Sequence, residues 1–107
     1  MRMLMTARLP HETFNASVRD GSAGRKTEAI LAEAKPEATY FTEMDGRRTV
    51  VMIVNLESPS KVPALAEPWF LTFNADVEFH VVMGPQELKD AGLVALGKKW
   101  GQPGRTD

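Results

Sequence analysis

The chain has 107 residues, 43% of them hydrophobic and 25% charged, with no cysteine and a formal net charge of -1. That composition excludes a disordered tail, a collagen-like fibre, a disulfide scaffold and any metal site built on thiolates. It describes one domain able to bury roughly two thirds of its extended-chain surface. Basic residues come at most in pairs, Arg25-Lys26, Arg47-Arg48 and Lys98-Lys99, which argues against a nucleic-acid partner. No stretch approaches the roughly 20 apolar residues of a membrane span, and Arg8 interrupts the apolar N-terminus before a signal core forms. The expectation is a soluble cytoplasmic protein with no membrane partner.

Residues Arg2 to Leu9 alternate, placing Met3, Met5, Ala7 and Leu9 on one side of a strand and Leu4, Thr6 and Arg8 on the other. Pro10 stops the strand and suits a first helical turn. His11 to Glu33 is rich in helix formers, but its apolar stripes do not line up across Gly21-Ser22-Ala23-Gly24. Two helical pieces with a break there follow, ended by Lys35-Pro36. Ala38 to Met44, the Asp45-Gly46 turn and Arg48 to Leu56 make a hairpin whose second strand is apolar enough to be central.

Ser58 to Pro63 offers caps and first-turn prolines for another helix, with Leu65, Trp69 and Phe73 on one face and Pro68 expected to kink or split it. A last strand spans Ala75 to Met83, with Val77, Phe79, Val81 and Met83 facing one way and Glu78, His80 and Val82 the other. The chain then divides into a domain at 1–84, a C-terminal helical arm at 85–101 and a flexible tail at 102–107. The arm's Leu93, Val94, Leu96 and Trp100 are too apolar to stay free, so it should dock on something.

The order β-α-β-β-α-β predicts an α+β, ferredoxin-like fold: a four-stranded antiparallel sheet, helices on one face, order last-first-third-second. Strand parity leaves Leu4, Thr6, Arg8, Glu78, His80 and Val82 on the open face. Centred antiparallel pairing would bring Thr6 beside His80 and Arg8 beside Glu78. A half-apolar face carrying one His, one Arg and one Glu is hard to leave in water. Two sheets packed face to face in a homodimer, with a cavity between helices and sheet or at the sheet interface, resolve it.

Lys35-Pro36-Glu37-Ala38 leading into Tyr40-Phe41-Thr42-Glu43, then Glu67-Pro68-Trp69-Phe70 with Phe73-Asn74-Ala75, and Val77-Glu78-Phe79, carry a resemblance over nearly the whole chain. With the element order, the chain resembles the dimeric α/β-barrel superfamily, and within it a group of small uncharacterised proteins. That superfamily includes cofactor-free monooxygenases, lactone isomerases, haem-degrading enzymes and non-catalytic members, so the resemblance implies a fold and not a reaction. The haem-degrading branch uses an Asn on its first strand and a His on a helix; here the first strand has Thr6 and Arg8, and His80 lies on a strand.

His80 is a candidate general acid or base, with Arg8 to clamp a carboxylate and Glu78 to move a proton. The plainer readings are a strand histidine bonded to Thr6 and a cross-strand Arg8–Glu78 pair that fixes register. Thr6, Tyr40, Trp69 and Phe73 are candidate ligand-binding residues, core being the plainer reading of the last two. Tyr40 and Glu43 differ in parity, so at most one lines a shared cavity. His11 and His80 have no metal-ligand spacing, and no dinucleotide, phosphate-loop or serine-elbow motif occurs, so neither metal nor cofactor is expected. An RNA-recognition module needs stacking aromatics on its first and third strands, and both lack them. Two functions remain: a binder or transformer of a small, mostly apolar molecule in the barrel cavity, and a ligand-free dimeric interaction module.

Overall fold

The computed structural model describes residues 1–101, so the tail expected at 102–107 lies outside the described residues. The elements in chain order are β1 (Arg2–Arg8), α1 (His11–Asp20), α2 (Ala23–Ala34), β2 (Ala38–Met44) and β3 (Arg47–Asn55). A 3-10 turn at Pro59–Lys61 leads into α3 (Val62–Phe73), β4 (Asp76–Val81), α4 (Pro85–Asp90) and α5 (Leu93–Trp100). The four strands form one antiparallel sheet in the order β2-β3-β1-β4, an α+β arrangement consistent with a ferredoxin-like fold. Among the described residues no helix is long and apolar enough to cross a membrane.

The break between α1 and α2 follows from two local features. Gly21 takes φ 82, a left-handed conformation that glycine reaches without Cβ strain, and its N–H caps the end of α1. The Ser22 N–H then donates to Asp20 Oδ1 at 2.8 Å. The Ser22 side chain, the Ser22 N–H and the nearby Lys26 and Arg25 charges hold Asp20 below the ordinary carboxylate range. Because the Ser22 Oγ itself finds no hydrogen-bond partner of good geometry, we assign the main hold to the N–H. A depressed carboxylate stabilises the fold fully above its unfolded pKa and loses that contribution as pH falls through the folded one. The Ser22 amide resonance should therefore titrate with a midpoint below that of an Asp model peptide; an equal midpoint would refute the Asp20 cap.

Asp45 and Gly46 both have positive φ (53 and 76), as a tight hairpin turn of the primed type requires. That turn sets β2 against β3 with Phe41 opposite Val50 and Tyr40 opposite Val51. The core lies between the sheet and the helices, where Met3, Met5 and Ala7 stand opposite Val54, Met52 and Val50, all buried. Trp69 and Phe73 from α3 and Ile30 from α2 close over this row, with the Phe14 ring of α1 tilted against that of Phe73, their centres 5.1 Å apart. Among the strands, β3 is central, with one face sealed and Val51 and Ile53 only half covered on the other.

Two expectations change. Pro68 does not split α3, which runs unbroken from Val62 to Phe73. Burial of Ala66, Trp69 and Phe73 on both sides of the proline offsets the roughly 3 kcal/mol that a mid-helix proline costs. Strand β4 is shorter than Ala75–Met83, and Val81 and Met83 are exposed instead of facing the core. Their strand has reached the end of β1 by then: the Val82 N–H meets the Arg2 carbonyl, and the chain leaves the sheet.

Candidate functional site

Parity places Thr6, Arg8, Glu78, His80 and Tyr40 on the open face, but the register does not assemble them. The β1–β4 pairing sets His80 opposite Leu4, Glu78 opposite Thr6 and Arg8 opposite Asp76. This is two residues away from the expected Thr6–His80 and Arg8–Glu78 neighbours. Met5 and Phe79, near the midpoints of the two strands, oppose each other, and that fixes every other pair.

Arg8 does not meet Glu78. Its Nη2 lies 3.5 Å from Asp45 Oδ2 on the β2–β3 turn, while its Nε is buried with no partner. Asp76, its register partner, sits 3.8 Å from Arg47. The hairpin extends past the end of β1 and delivers a carboxylate that the strand reading did not place there. His80 and Glu78 are exposed on edge strand β4. Tyr40 is exposed on the opposite edge strand, β2, with two strands between. At about 4.8 Å per strand the two edges stand ~14 Å apart, so these groups share a face and not a site.

Trp69 and Phe73 lie on the other side of the sheet, fully enclosed in the core. They roof no cavity with His80. Of the seven candidates, then, none stands in an enclosed pocket together with the acid–base pair.

A cleft does exist, on the helix side, where α1 and α2 meet the edge of the sheet. One lobe of about 260 Å³ is bounded by Leu9, Phe14, Thr27, Phe41, Val50 and Arg48. A second of about 380 Å³ shares Phe14, Thr27 and Phe41 and adds Ala23, Gly24, Leu31 and Glu28. The walls are mainly apolar. Phe41 is 64% exposed on β2, an aromatic ring that the body of the protein leaves uncovered.

Arg48 is the charged group of the first lobe. Its guanidinium carbon lies 4.9 Å from the centre of the Phe14 ring, and its Nη1 donates to Asn15 Oδ1 at 2.8 Å. Glu43 sits directly across the hairpin from Arg48, yet among the described residues no carboxylate approaches Arg48 within ion-pair distance. Neither Arg48 nor Phe14 stood out in the sequence as a site residue. The available signal was Phe41, an aromatic on an edge strand with the parity of the core row. What it needed was the angle at which α1 crosses β3, which no local pattern carries. Among the described residues no cluster of three metal-binding side chains forms. In comparisons with known proteins, no family model matches this chain, and none of the curated proteins matches it at a significant level.

Proposed function

We propose that this chain is a homodimeric binding protein that holds a small, mostly apolar organic molecule in the cleft between α1, α2 and β2. The observation that carries the reading is the cleft itself, with apolar walls, aromatic groups on two sides and a second lobe whose volume falls within the usual ligand range. Binding is favoured over turnover because the walls bring Arg48 and the exposed Glu28 and no histidine. The His80, Arg8 and Glu78 acid–base set is not gathered anywhere.

A substitution at Gly24 separates the site from the fold. A Cβ at Gly24 would meet nothing within 4 Å, and the residue lines the second lobe of the cleft. Gly24→Leu is expected to fill that lobe while raising helix propensity in α2, a gain of up to about 1 kcal/mol. Molecules that raise the melting temperature of the wild-type protein should lose that effect in Gly24→Leu, although the variant itself melts no lower. Retention of ligand stabilisation in the variant would overturn the assignment.

A second reading, a dimeric interaction module with no ligand, draws support from the arm. Leu88, Leu93, Val94 and Leu96 of α4 and α5 are exposed, Val94 to 75%. In both readings the half-apolar open face, with Leu4, Val51, Ile53 and Tyr40, meets the same face of a second copy.

A further inference from the structure

We infer that the ligand of the cleft is an amphipathic carboxylate, a small acid with an apolar body, and that Arg48 is the residue that selects it. This rests on the reading of the cleft as a binding site. Arg48 forgoes a nearby carboxylate. Glu43 is available across the hairpin, but the guanidinium is turned onto the Phe14 ring and tethered by Asn15. Among the described residues only one of its five N–H donors is used, the one given to Asn15. A half-buried arginine that is held in place and left without an anion is a pre-organised fork, the geometry that a carboxylate matches with two parallel hydrogen bonds.

The rest of the cleft sets the body of the ligand. Phe14, Phe41 and Leu31 offer rings and a branched aliphatic surface, and Glu28 at the far lobe is exposed and stays hydrated. A doubly charged phosphate fits poorly, since one cation against apolar walls would leave the second charge desolvated and unpaired. A neutral molecule of the same shape would leave the fork unused.

The test uses matched acids and primary amides on three bodies: phenylacetate, 3-phenylpropionate and octanoate, titrated by amide chemical-shift changes in the full chain. Each acid should bind at least tenfold tighter than its amide, with affinity falling as salt rises. Arg48→Gln should erase the difference and Arg48→Lys should retain part of it, with unchanged far-UV circular dichroism in both. If acid and amide bind the wild type equally, the anion selectivity is wrong and the cleft reading stands. If no acid or amide produces saturable shifts at Phe14, Thr27 and Phe41, the cleft reading falls and this inference falls with it.

Discussion

Truncation of Trp69 to Ala is expected to remove about 3–5 kcal/mol of folding stability. Against the 5–15 kcal/mol typical of a small domain, that is a fifth or more of the total. The indole is fully enclosed, with its ring centre 6.2 Å from that of Phe73, so the void left behind has no route for solvent to fill it. One term works the other way. The indole N–H is buried without a partner, and losing it recovers part of its desolvation cost, which places the result toward the lower end of the range. Trp69→Phe, which removes the orphaned donor and leaves a smaller void, should cost much less than the alanine. By contrast, His80→Ala on the exposed edge should stay within about 0.5 kcal/mol of wild type. Urea midpoints at constant m measure all three. A Trp69→Ala loss under about 1 kcal/mol, or an equal loss for His80→Ala, would mean that α3 does not close the core.

The contrast between Trp69 and His80 also marks how far the sequence is legible. Period-two alternation in β1 placed Met3, Met5 and Ala7 against the helices, because a strand has only two faces and burial selects one. The Asp45-Gly46 turn and the break at Gly21 were readable because each depends on a local backbone requirement. Register was not. It depends on where β4 starts, and that is set by Asn74, which takes φ 56 at the end of α3 and turns the chain into Asp76. A shift of two residues keeps every side chain on its face, so parity gives no warning while Thr6 loses His80 and Arg8 loses Glu78. Asp45 then captures Arg8 from a turn that strand-by-strand reasoning treats as a connector. The cleft was hidden for a related reason: Phe14, Phe41 and Arg48 come from three elements, and only tertiary packing brings them together. In the sequence, core is the plainer reading of Trp69 and Phe73 and a pocket roof the alternative; their complete burial puts them in the core.

The arm carries the other large expected effect. With Leu93 and Leu96 both replaced by Asp, the proposed dimer should dissociate to a folded monomer at micromolar concentration. The radius of gyration is 18.7 Å, against about 13 Å expected for a compact chain of this length, and the longest dimension is 63 Å. The excess is α4 and α5, which lead away from the sheet and present Leu88, Leu93, Val94 and Leu96 to solvent. A second copy is the occupant that the areas favour. Four strands about 4.8 Å apart and about 24 Å long have a flat footprint of ~450 Å², set against the ~800 Å² of accessible surface per partner in a standard interface. Sheet-to-sheet packing alone is therefore a modest interface, and in the proposed two-fold pair an exchanged arm would add apolar surface twice over. At ~1.5–3 kcal/mol for each buried leucine, four leucines per dimer contribute ~6–12 kcal/mol, enough to shift association by more than four orders of magnitude. The same residues touch little of their own body, so circular dichroism and the urea midpoint of the variant should match those of an isolated wild-type protomer. Sedimentation velocity decides the matter. A variant that sediments as a dimer would remove the arm from the interface, and a wild type that sediments as a monomer would remove the interface itself.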